Sequence, residues 1–141
     1  MAKLRSVLSV TGAALLLALL GSNAAHADTP PAPDESNVID LSGEVSLMGN
    51  CDTVGPVTLC GRINNRSSSD DDLWIINNWP PETANGAFVP PGGNSTTYFR
   101  DTDGVYIPTG CKGVRSLATD LGGGYWYKIS NGQTWTIDLQ C

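Results

Sequence analysis

Apolar residues in this chain come in short alternating bursts cut by polar turns. No stretch after residue 27 repeats them at helical spacing over three turns. Val57, Leu59 and Ile63 fall on one side of an extended chain, with Thr58, Cys60 and Arg62 on the other, the period of a half-buried strand. Asn64–Asp72 is polar throughout and must turn. Leu73-Trp74-Ile75-Ile76 is apolar at every position, which suits a strand covered on both faces. Together they predict a central hairpin within Val57–Asn78, around which the remaining strands are arranged.

A second hairpin is predicted at the end of the chain. Tyr125–Ser130 and Gln133–Leu139 flank Asn131-Gly132, a pair favoured in a two-residue type I′ turn. That register sets Ile129 opposite Thr134 and Trp126 opposite Ile137. Trp126, Trp135, Ile137, Leu139 and Cys141 then form a core face, and Tyr125, Tyr127, Thr134, Thr136 and Asp138 a wetter one. Shorter strands are expected at Val38–Leu41, Glu44–Met48, Ala87–Val89, Ser95–Arg100, Val105–Ile107 and Val114–Leu117. Gly-, Pro- and Asp-rich turns lie between them. Several short strands with frequent turn signals predict an all-β domain, a small antiparallel β-sandwich or barrel.

The N-terminus follows another pattern. Lys3 and Arg5 precede the apolar run Val7–Leu20, and Ala25-His26-Ala27 offers a small-x-small cleavage site, the layout of a secretory signal peptide over residues 1–27. The run is shorter than the roughly 20 apolar residues a membrane span needs. Residues 28–37, with three prolines and no large apolar side chain, read as a disordered Pro-rich tail. Residues 38–141 read as a single β domain.

Export changes the charge and assigns the cysteines. Without Lys3 and Arg5, six basic residues face 14 acidic ones, a net charge of −8. Such a chain repels phosphate backbones and anionic membranes, so neither nucleic acid nor membrane is expected as a partner. Cys51, Cys60, Cys111 and Cys141 suit two disulfides in an oxidising compartment. Sequence allows three connectivities, of which sequence adjacency favours Cys51–Cys60 with Cys111–Cys141. The chain-entropy estimate for these loops is about 2.7 and about 3.7 kcal/mol. A four-cysteine zinc site is disfavoured, because no C-x2–4-C knuckle is present.

Little catalytic chemistry remains. The single histidine, His26, lies in the segment that export removes, which excludes histidine-activated nucleophiles. Paired cysteines leave no thiolate, and the carboxylates sit mostly in polar turns without an apolar pocket to make one an acid. No enzymatic activity and no cofactor are expected. Asp101-Thr102-Asp103-Gly104 opens like a calcium loop but lacks its continuation, since Val105 and Tyr106 stand where a ligand and a glycine belong. Asp101 and Asp103 are weak calcium-ligand candidates. Asn65-Arg66-Ser67 and Asn94-Ser95-Thr96 are glycosylation sequons.

The expected function is therefore binding, by a secreted extracellular module whose partner is a protein or a polysaccharide. In the first form, a Cys51–Cys60 bridge closes a rigid ten-residue loop. Val54, Gly55, Pro56, Val57 and Thr58 of that loop contact a target such as a secreted hydrolase, which the module inhibits. In the alternative, Tyr125 and Tyr127 on the wetter strand face and Trp79 in a Pro-rich loop stack on sugar rings of a carbohydrate or cell wall.

Overall fold

The computed structural model describes residues 30–32, 36–41, 50–81, 85–116 and 119–141. The signal peptide, the strand expected at Glu44–Met48, and parts of the Pro-rich tail and of the Trp79–Gly86 loop lie outside these residues. The described chain is nearly all strand: β1 Val38–Ile39, β2 Asp52–Val54, β3 Val57–Leu59, β4 Arg62–Asn65, β5 Leu73–Ile76, β6 Gly86–Val89, β7 Gly104–Ile107, β8 Lys112–Arg115, β9 Leu121–Gly122, β10 Tyr125–Lys128 and β11 Thr134–Gln140. Ser95–Thr97, expected to be extended, forms one turn of 3₁₀ helix, because the Asn94 side chain accepts the Thr96 N–H and caps it.

The strands form a five-stranded sheet, in the order β1-β10-β7-β5-β6, and a four-stranded sheet, in the order β4-β11-β8-β9. Most pairings are antiparallel, while β1 with β10 and β4 with β11 are parallel. The space between the sheets holds one apolar cluster, including Ile63, Leu73, Ile75, Val105, Ile107, Tyr127, Trp135, Ile137 and Leu139. Two disulfides, Cys51–Cys60 and Cys111–Cys141, complete the all-β fold. Cys141 was expected to be buried in phase with the core. It is exposed, and its backbone N–H is held by the Asp70 carboxylate at 2.7 Å.

Both expected hairpins are corners between sheets. β4 pairs with β11 in the four-stranded sheet, and β5 pairs with β6 and β7 in the five-stranded one, so the polar stretch after β4 carries the chain across the sandwich. The chain does turn at Asn131-Gly132: Gln133 N–H donates to Ser130 O at 3.1 Å, and Gly132 takes a φ of +81°. The ladder stops there. Ile129 N–H donates to Asp103 O, and Arg62 N–H donates to Gln133 O, so the two arms leave the turn toward different sheets. Local turn chemistry was satisfied while tertiary partners took the strands.

This corner inverts the expected faces of β10. Tyr127 points into the inter-sheet core and is 4% exposed, while Trp126 lies on the outer face of the five-stranded sheet. There, Val38, Trp126, Tyr106, Trp74 and Phe88 stand side by side across all five strands, each the cross-strand partner of the next. The expectation that Leu73–Ile76 is covered on both faces holds. Leu73 and Ile75 belong to the inner cluster, Ile76 to the outer one, and Trp74 packs against the outer cluster. Trp74 lies flat over Gly86, where an added Cβ would meet its ring at 2.2 Å, so only glycine fits beneath it.

Candidate functional site

β2 and β3 form a two-stranded hairpin that pairs with neither large sheet. Its register sets Asp52 opposite Leu59, Thr53 opposite Thr58 and Val54 opposite Val57, with Gly55-Pro56 at the tip. Gly55 takes a φ of +60°, the left-handed conformation that a turn this tight requires and that glycine adopts without strain. Val54 and Val57 are 64% and 52% exposed, side by side at the free end.

Three attachments hold the base. The Cys51–Cys60 bond closes it. On one side, Gly61 N–H donates to Asp101 Oδ1 at 2.7 Å, and Thr102 N–H donates to Gly61 O at 3.0 Å. An added Cβ at Gly61 would lie 2.2 Å from Thr102 O, so this clamp needs a glycine. On the other side, Asn131 Nδ2 donates to Asn50 O at 3.0 Å, and Leu59 rests beside Gly132. The sheet-to-sheet corner is thus also the seat of the hairpin.

Beneath the hairpin is a polar cavity of about 250 Å³ lined by Asn50, Cys51, Thr53, Thr58, Asn77, Arg100 and Asp101. Asp101 is 4% exposed, and its Oδ2 has no hydrogen-bond partner among the described residues. Burial raises its carboxyl above the ordinary value, and Asp52 nearby adds to this. The Gly61 and Thr102 N–H groups and the Arg100 guanidinium pull it back. A carboxylate oxygen of Asp101 and both sulfurs of the bridge lie within 4.8 Å of one another, but bonded sulfurs are not thiolate ligands. Asp103 is buried as well. Among the described residues, no third carboxylate joins Asp101 and Asp103 within metal-ligand reach.

The sequence-derived site residues are thus divided. Val54, Gly55, Pro56, Val57 and Thr58 are together and exposed on the hairpin. The sugar platform is not assembled: Tyr127 is buried with its hydroxyl donating to Gly122 O at 3.0 Å, and only Tyr125 is exposed. Their rings meet edge-on, 6.5 Å apart, and Trp79 packs half-buried against the outer cluster of the five-stranded sheet. Of the two sequons, Asn65 is buried and its amide nitrogen donates to Asp71 O and Val89 O, while Asn94 is exposed. Sequence reasoning missed Asp101 as the clamp of the hairpin, because the contact spans 40 residues and no local pattern encodes it. No known family model, curated protein or solved structure matches this chain.

Proposed function

We propose that this protein is an exported, non-catalytic module that binds another protein through the β2–β3 hairpin, in the manner of an inhibitor of an extracellular hydrolase. The observation that carries this reading is the pairing of Val54 with Val57 at the tip of a hairpin closed by Cys51–Cys60. Two exposed aliphatic side chains do not stabilise the free molecule. Held rigidly, they bind with little further loss of entropy. The disulfides are compatible with the oxidising space outside the cell, and no helix among the described residues is long and apolar enough to cross a membrane. The choice of a hydrolase as target rests on analogy with small secreted scaffolds that present rigid loops.

The test is titration of secreted serine, cysteine and metallo-hydrolases with the purified protein. Stoichiometric loss of one activity is expected, and Val54→Ser/Val57→Ser is expected to relieve it by roughly a hundredfold or more, the size of an interface hot spot. Inhibition that survives the double substitution would move the contact off the hairpin. Absence of any inhibition, with retention on insoluble polysaccharide instead, would overturn the reading.

A further inference from the structure

A second cavity lies where both large sheets end. β1 is the edge of the five-stranded sheet and β9 the edge of the four-stranded one. Between them, Ile39, Leu41, Leu121 and Tyr127 wall a cavity of about 390 Å³ that also takes in Arg115, Thr119 and Asp120. Arg115 is the unusual member. It stands opposite Ile137 in the β8–β11 ladder, so its side chain leaves the sheet on the core side, where Ile137 is fully buried. Its guanidinium carbon sits 4.1 Å from the centre of the Trp135 ring, which fixes its orientation.

An inward-facing arginine in an apolar cleft usually meets a carboxylate. Among the described residues Arg115 forms no ion pair, and its Nε is buried without a hydrogen-bond partner. Desolvation lowers its pKa, which marks the charge as short of stabilisation. Tyr127 offsets this in part, but burial raises its own pKa, so it stands beside Arg115 as a neutral phenol donating to Gly122 O and not as a counter-ion. Asp120 lies exposed at the rim and is not within 4 Å of the guanidinium.

We propose that this cleft binds a small amphiphilic carboxylate, its carboxylate on Arg115 and its apolar body along Ile39, Leu41, Leu121 and Tyr127. The planar fork of a guanidinium donates two parallel hydrogen bonds to a carboxylate, and stacking on Trp135 presents the fork already oriented. The four apolar walls account for the body of the ligand, and the exposed Asp120 repels an anion seated at the mouth. This site is independent of the hairpin and of any partner bound there.

Sodium octanoate, octanol and octylamine serve as probes, titrated against the isotopically labelled full protein. The Trp135 indole N–H, which donates to Gln133 Oε1 at 3.1 Å, reports occupancy by its NMR shift. Octanoate is expected to bind saturably, octanol at least roughly tenfold more weakly, and octylamine not at all, the discrimination expected of a charge-assisted pair. Arg115→Met is expected to reduce octanoate to the affinity of octanol, and Arg115→Lys to fall between. Should Arg115→Met fail to fold, the octanoate-to-octanol ratio on the native protein decides alone. Equal binding of octanoate and octanol, no saturable shift at millimolar octanoate, or full octanoate affinity in Arg115→Met would each overturn the proposal.

Discussion

The hairpin and the sandwich are built from the same backbone geometry and are stabilised in opposite ways. In β5, Leu73, Ile75 and Ile76 are fully buried, and each strand is held by what it packs against. In β2 and β3 only Leu59 is even half-buried, and an isolated two-stranded hairpin is marginal in water. There, a disulfide and a clamped glycine replace a core. Side chains relieved of packing are available for recognition, and Val54 and Val57 occupy those positions.

The largest effect expected from breaking this contrast is in the sandwich. Ile75→Ala removes a fully buried side chain between the sheets and is expected to cost about 2–5 kcal/mol, read from the denaturant midpoint at unchanged slope. Because the hairpin packs elsewhere, any inhibitory activity of the folded fraction should persist.

The two disulfides come next. Removing Cys111–Cys141 by serine substitution frees a loop spanning β8 to the end of β11, and the estimate is about 3.7 kcal/mol, appearing as global stability because both strands stay paired in the sheet. Removing Cys51–Cys60 is expected to cost at most about 2.7 kcal/mol globally, since the freed hairpin also gains freedom in the native state. Its signature is loss of amide exchange protection confined to Asp52–Leu59. A global loss as large as that of Cys111–Cys141, with exchange in the hairpin unchanged, would place the hairpin inside the cooperative core.

The same contrast explains what was legible in the sequence. Strand existence and the covering of Leu73–Ile76 on both faces followed from short-range pattern, and adjacency favoured the observed disulfides. Partnership did not follow. Asn131-Gly132 does turn the chain, but the ladder on each side is decided by Asp103 and Arg62, far away in sequence. That single error reversed the faces of Trp126 and Tyr127, because a strand's period fixes which residues share a face and not which face is inside. Nor does any pattern announce Asp101 as the clamp of Gly61.

Asp101 lies at the seam between the two regions and gives a prediction in pH. Its folded pKa is raised above its unfolded value, chiefly by burial, so the native state holds this proton more tightly. The resulting stability is fully present below the unfolded pKa near 3.8 and is lost as pH rises through the folded value. Asp101→Asn, which keeps an acceptor for Gly61 N–H, is expected to flatten that segment of the stability–pH curve. An unchanged curve would mean that Asp101 is not buried as its surroundings require.

The smallest change falls at the hairpin tip and isolates it most cleanly. Gly55 has a φ of +60° and open space around the position of a Cβ, so Gly55→Ala meets no clash and costs only backbone strain, about 1 kcal/mol. In the sandwich the comparable experiment is Gly86→Ala, where the φ is not the obstacle and the Trp74 ring is. The two substitutions separate conformational from packing cost within one molecule. Gly55→Ala should leave core exchange protection untouched while tilting Val54 against Val57, and inhibition should weaken more than stability does. If stability and inhibition fall in proportion, the tip is part of the scaffold and the recognition surface lies elsewhere.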